Sequence, residues 1–161
     1  MSEAARLRVW PALLLSVAAC MAAGAIGGIA IWSSLDTWYP ALVKPSWHPS
    51  PLVFRVVWTS LYGMMAVAAW RVWQHGVRLH ERPLRWFAGQ LLLNALWPVV
   101  FFGLRNPAAA LGELALLWGA AATTLVLFWR VSRVAGALLV PYQAWLTIAA
   151  ALNWAMWRLN R

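Results

Sequence analysis

Long apolar stretches alternate with short polar ones along this chain, and the stretches have a common length. Residues 10–32 carry no charge and are bounded by Trp10 and Trp32. Residues 51–74 hold Arg55 one turn inside, and residues 84–104 and 107–129 follow, the latter with Glu113 as its only charge. Residues 136–157 carry none. A helix needs about 20 predominantly apolar residues to cross the hydrocarbon core of a bilayer, so each of the five stretches is long enough. Pro51 and Pro107 suit the first turn of a helix, where a missing N–H is no loss. Pro98 and Pro141 kink or begin helices, which neighbouring helices can tolerate. Only Arg105 and Asn106 separate the third and fourth stretches, so those two must be antiparallel neighbours. The pattern predicts an all-α, polytopic membrane protein: residues 1–161 as one domain, a five-transmembrane-helix bundle.

Residues 33–50 break the pattern. They hold Pro40, Pro45 and Pro49, together with Asp36, Lys44 and His48, and also Trp38, Tyr39 and Trp47. The segment is too polar and too rich in proline to cross a membrane. It is expected to be an ordered interfacial loop with a short helix around 36–43, covering one mouth of the bundle. Arg6 and Arg8 before an apolar run ending Val17-Ala18-Ala19-Cys20 resemble a lipoprotein cleavage signal, but the chain stays apolar through Ile31, and a cleaved leader would not.

Composition narrows the partners. The chain has 14 tryptophans, a formal charge of +9, and one cysteine, Cys20, which rules out an intramolecular disulfide. The basic residues sit at the ends of the apolar stretches and not in one block. They therefore suit anionic membrane lipid, and no nucleic-acid partner is expected. Arg6, Arg8, Arg71, Arg78, Arg82, Arg85, Arg130 and Arg133 fall on one side; Lys44, Arg55, Arg105, Arg158 and Arg161 fall on the other. The richer side is expected in the cytoplasm, which places the N-terminus there and the C-terminus outside. The Ala- and Arg-rich composition suits a bacterial source.

Several chemistries lack their parts. His48, His75 and His80 all lie in loops, so the usual axial haem ligand, a histidine, is not expected at membrane depth. No metal site and no catalytic set can be assembled, and Glu113, near the start of its helix, is expected to reach the interface. What remains is aromatic and amide chemistry. Trp86, Gln90, Asn94, Trp97 and Phe101 fall on one stripe of the third helix, since residues four apart share a face. The two amides serve either as hydrogen-bonding glue between helices or as polar handles in an apolar ligand pocket. Trp58 and Tyr62 pair on the second helix; Tyr142, Trp145, Ala149 and Leu152 line the fifth, with Asn153 beside them. Trp58 and Trp145 lie about two turns from their helix starts, deeper than the interfacial anchors Trp10, Trp32, Trp129 and Trp157. Gly24 and Gly28 form a small-xxx-small surface that suits a dimer seam.

Together, Trp38-Tyr39, Lys44-Pro45-Ser46-Trp47-His48-Pro49, Trp58-Thr59-Ser60-Leu61-Tyr62, Gln90 to Pro98, Phe101-Phe102-Gly103, Ala121 to Thr124, Val140 to Trp145 and Leu152-Asn153-Trp154 resemble the translocator protein / tryptophan-rich sensory protein family, also called the peripheral-type benzodiazepine receptor family. The match runs from about Trp10 to the C-terminus, in order and at family spacing. The resemblance implies a five-helix bundle, a homodimer in bacteria, and a pocket under the first loop. It implies binding of porphyrin or haem as ligand, with no obligatory cofactor, and of isoquinoline carboxamide or benzodiazepine-type ligands. The matching pocket positions are Trp38, Tyr39, Pro45, Trp58, Gln90, Asn94, Trp145, Ala149 and Leu152, with Tyr62 beside them; Asn94 and Trp58 match the groups that hydrogen-bond a ligand carbonyl. The animal sterol motif is matched only in part, by Leu152, Trp154 and Arg158, with Trp154 where a tyrosine belongs. The first expectation is a membrane receptor or sensor for tetrapyrroles. Two alternatives stay open at this stage: an enzyme degrading porphyrin with light and oxygen, its catalytic residues unknown, and a transporter of sterol, lipid or tetrapyrrole.

Overall fold

The computed structural model of the chain describes residues 3–32 and 34–161, with the backbone alone for residues 3–9. The arginines counted at positions 6 and 8 therefore lie outside the described side chains, and Ser33 outside the described residues. The elements are α1 (Glu3–Trp32), α2 (Trp38–Ala41), α3 (Pro51–Gln74), α4 (Arg82–Pro98, continued by a wide π-type turn over Val99–Gly103), α5 (Pro107–Val131) and α6 (Arg133–Leu159). Five of these are long and apolar enough to cross a membrane: Trp10–Trp32 of α1, then α3, α4 with its wide turn, α5 and α6. They match the five apolar stretches of the sequence, and among the described residues no strand is present.

The ends of these helices follow from local chemistry. Ser50 and Asn106 accept the N–H groups of Val53 and Ala109, at 3.4 and 3.0 Å, so each caps a helix whose first residue is proline. Pro98 cannot donate to the carbonyl one turn earlier and crowds it. Beyond it the helix widens, with the Leu104 N–H reaching the Val99 carbonyl at 2.8 Å. The fifth span begins at Arg133, three residues before the apolar pattern does. Ser132 closes α5 through its N–H to Phe128 O (2.8 Å) and opens α6 through its side chain to Ala135 N (3.4 Å). A one-residue link brings α5 and α6 very close. A Cβ on Gly136 would lie 2.7 Å from the Trp129 Cα, which is backbone and cannot step aside. Gly136→Ala is therefore expected to destabilise the protein by about 1–3 kcal/mol, the range for forced overpacking, read as an earlier thermal unfolding in detergent.

Around the bundle the helices run α1, α3, α6, α5, α4 and back to α1. Helices α3 and α4 are consecutive along the chain yet are not neighbours on this ring. They meet across its middle, where Tyr62, Met65, Gln90 and Asn94 are all buried. Gly24 admits the Tyr62 ring: an added Cβ there would sit 2.9 Å from its Cε2. Around Gly28 the same space is open. The two glycines therefore do not form one outward seam, because Gly24 serves the packing of α1 on α3. Cys20 is buried within an unbroken α1.

The loop 34–50 folds over the end of the bundle where α1, α4 and α6 finish and α3 and α5 begin. Its helix, α2, is shorter than the predicted one: Leu42 is already extended (φ −69°, ψ 135°), and Lys44 caps the carbonyls behind it, donating to Tyr39 O at 2.8 Å and Leu42 O at 3.2 Å. Trp38, Tyr39 and Leu42 pack with Phe54, Phe101, Phe102, Leu152 and Met156 in a small apolar cluster beneath the lid.

Candidate functional site

The two amides of α4 are wired into the bundle. Tyr62 donates its hydroxyl to Asn94 Oδ1 at 2.6 Å, and Asn94 Nδ2 donates to the Tyr142 oxygen at 3.0 Å. Tyr142 in turn donates to Gln90 Oε1 at 2.8 Å, and Gln90 Nε2 points at Met65 Sδ at 3.9 Å. One directed chain thus joins α3, α4 and α6 across the interior, where unpaired polar groups would be costly. Of the two uses the sequence left open for Gln90 and Asn94, the structure displays the interhelical one.

The aromatic residues form two groups around that chain. Trp58 lies against Tyr62 and Tyr142, with ring centroids 5.6 and 6.4 Å apart. The other group descends from the lid. Trp38 meets Phe101 edge-on at 5.7 Å, and Tyr39 meets Phe102 at 5.1 Å. The Tyr39 hydroxyl is 2.7 Å from His48 Nε2, the His48 ring is 5.7 Å from Phe54, and Phe54 is 5.7 Å from Trp145. This relay links the lid to the deep tryptophan of α6. Trp145 Nε1 is buried and has no hydrogen-bond partner among the described residues. Trp97 contrasts with it, donating to Asn153 Oδ1 at 3.1 Å while Asn153 Nδ2 donates to Pro107 O at 2.8 Å.

The other predicted residues are placed as follows. Pro45 opens the lid turn in which His48 N bonds Pro45 O at 3.0 Å. Ala149 and Leu152 are buried, in the main core and in the cluster under the lid respectively. Leu152 thus faces inward while Trp154 is exposed, with the Arg158 guanidinium 5.7 Å over its ring. The three sterol-motif residues therefore do not share one surface. Glu113 does not reach the interface as expected: both its carboxyl oxygens are enclosed, without a hydrogen-bond partner among the described residues. Two shallow hollows of about 300 and 400 Å³ open on the outside, beside Arg82, Arg85, Trp86 and Gly89 and along Ala122, Thr123, Val126, Leu127 and Arg130. Neither contains a predicted ligand-binding residue.

Charge at the lid is set by burial. The Tyr39 hydroxyl is pushed up to about 12 by burial. His48 is held below its ordinary value of 6.5, first by loss of solvent and then by the Lys44 charge, against a smaller opposing backbone hydrogen bond. A histidine whose folded value is lowered stabilises the closed lid above pH 6.5, and that contribution is lost as the pH falls from there through the folded value. Hydrogen exchange of residues 40–47, corrected for its intrinsic pH dependence, is expected to speed up below pH 6.5. His48→Gln should remove that acceleration.

Sequence reasoning passed over Phe54, although Phe54, Trp58 and Tyr62 form an i, i+4, i+8 series that marks one face. It placed Tyr142 on the stripe without seeing that its hydroxyl is the junction of the amide chain.

The fold and site define an integral membrane protein with a lid over an aromatic interior. The chain belongs to the TspO/MBR family, whose model matches residues 16–158. It is 42% identical over 146 residues to Protein CrtK of Rhodobacter capsulatus, covering 88% of each chain. It is 40% identical over 151 residues to the tryptophan-rich sensory protein of Cereibacter sphaeroides, covering 94% of this chain and 92% of that one. The translocator protein of Homo sapiens is 44% identical over 126 residues, 76% of this chain and 75% of the human one.

Proposed function

We propose that this protein is a membrane receptor for flat apolar ligands of the tetrapyrrole class, protoporphyrin or haem, held between α3, α4 and α6 beneath the lid. One observation carries the reading: the indole N–H of Trp145 is a buried donor with no acceptor among the described residues, on a ring that meets Phe54 edge-on below a loop. Buried donors are almost always paired, so an unpaired one beside an aromatic ring suits a ligand that brings its own acceptor. The macrocycle would lie against Trp58 and Trp145, displacing the Phe54–Trp145 contact, and its carboxylates would stay at the wet mouth beside Lys44 and His48. A ligand carbonyl would compete with Tyr142 for the Asn94 amide; isoquinoline carboxamide and benzodiazepine-type ligands would use that handle. The sensory and translocator names of the relatives fit a receptor role.

The test is saturable quenching of tryptophan fluorescence by protoporphyrin in lipid nanodiscs, with an isoquinoline carboxamide as competitor. Linear, non-competed quenching, or equal affinity in Trp145→Ala, would refute the reading. A homodimer with its N-terminus in the cytoplasm belongs to the same proposal. The count of arginines on that side supports the orientation, and reporter fusions at the two termini test it.

A further inference from the structure

The lid is tied to the bundle at its start and at its middle by different means. At its start, Ser34 donates to Phe102 O at 2.6 Å, and Arg105 reaches Thr37 Oγ1 at 3.4 Å. Further along, the Tyr39–His48 and Lys44 bonds stay within the lid. Among the described residues, one side chain outside the lid hydrogen-bonds residues 41–49, and it belongs to the far end of the chain. Asn160, at the C-terminal cap of α6, accepts the Val43 N–H on Oδ1 at 2.9 Å and donates Nδ2 to Val43 O at 2.9 Å. The same Nδ2 donates to Met156 O at 2.7 Å, which anchors the amide to its own helix. A carboxamide offers one acceptor and two N–H donors side by side, and here all are engaged. Its pairing with the Val43 peptide unit imitates a rung between two strands. A serine is too short to reach both groups, and an aspartate lacks the donor.

We propose that Asn160 is the clasp of the lid: it positions residues 41–49 over the mouth, and its release lets a ligand reach the interior. This rests on the reading of the interior as a ligand site. The interior amides are already bonded to protein, and Phe54 of α3 lies between the lid and the indole, its ring 5.7 Å from both His48 and Trp145. A ligand therefore reaches the indole only when the lid moves, and the strength of its fastening sets how often that happens.

The experiment compares wild type, Asn160→Ala and Asn160→Asp in nanodiscs by hydrogen exchange of residues 40–47 and by stopped-flow protoporphyrin quenching. Exchange in Asn160→Ala should be about five- to thirtyfold faster, the factor expected for losing one to two ordinary hydrogen bonds. Asn160→Asp keeps the Val43 N–H bonded but not its carbonyl, and should fall between. Protoporphyrin association and dissociation should both accelerate in Asn160→Ala by a similar factor, leaving affinity within about twofold, because the fastening is broken in the free and bound forms alike. A residue that merely stabilised α6 would lower the unfolding temperature without moving the two rates together. Unchanged exchange in Asn160→Ala overturns the clasp. Faster exchange with unchanged porphyrin rates overturns its control of access. Failure of wild type to bind protoporphyrin refutes the receptor reading instead, and exchange at Val43 then decides the clasp alone.

Discussion

Trp145→Ala is expected to weaken protoporphyrin binding by at least about thirtyfold, the effect of losing a central aromatic contact worth roughly 2 kcal/mol or more. Trp145→Phe separates the ring from its N–H. It keeps most of the π-face and removes the unpaired donor, so binding should fall by only about three- to tenfold, one hydrogen bond's worth. Its effect on the free protein should have the opposite sign. The Trp145 N–H has no partner among the described residues, so removing it relieves a buried unsatisfied group, and the unfolding temperature should hold or rise. Trp58→Ala is the companion: its ring touches Tyr62 and Tyr142, and both affinity and stability should drop. Fluorescence titration and thermal unfolding of the three variants measure these effects. A Trp145→Phe variant that loses stability but binds normally would assign the indole to the core.

Asn94→Leu is expected to lower stability by about 1–3 kcal/mol, the cost of leaving a buried polar group unpaired. Single interhelical hydrogen bonds in membranes average only about 0.6 kcal/mol, so one lost bond would barely register. Asn94 makes two, accepting from Tyr62 and donating to Tyr142. Its loss strands the Tyr62 hydroxyl among apolar side chains. At about 2–4 °C per kcal/mol for a protein of this size, unfolding should begin several degrees earlier. The double variant Tyr62→Phe/Asn94→Leu removes the stranded hydroxyl and should recover part of the loss. Simple additivity of the two changes would show that the pair is not coupled. Asn94→Leu should also abolish competition by carboxamide ligands, because it deletes the amide their carbonyl would use.

Much of the candidate site was legible in the sequence because it lies on single helices. Gln90 and Asn94 are four apart, as are Trp58 and Tyr62, and that spacing alone puts each pair on one face. Which face points inward was not legible. In a membrane, apolar side chains suit lipid and core equally well, so periodicity does not single out a buried side. Exposed Leu14 and Leu92 are as apolar as buried Leu61 and Leu114. Glu113 shows the same limit: its position near the start of α5 predicts contact with water, yet the packing around it encloses both its oxygens.

By itself, the sequence determined that this is a membrane protein of five spans, where all five begin to within about three residues, which segment forms the lid, and which family the chain belongs to. These follow from lengths, proline and cap chemistry, and motif order, all local along the chain. Only the tertiary structure decided that α3 and α4 meet across the bundle and not along its rim, that the amides bond to tyrosines of other helices, that Gly24 yields to Tyr62, and that Asn160 holds Val43 from 117 residues away. Hydrogen bonds and close approaches between distant segments depend on how the helices are arranged around one another. A pattern with a period of 3.6 residues describes each helix and says nothing of its neighbours.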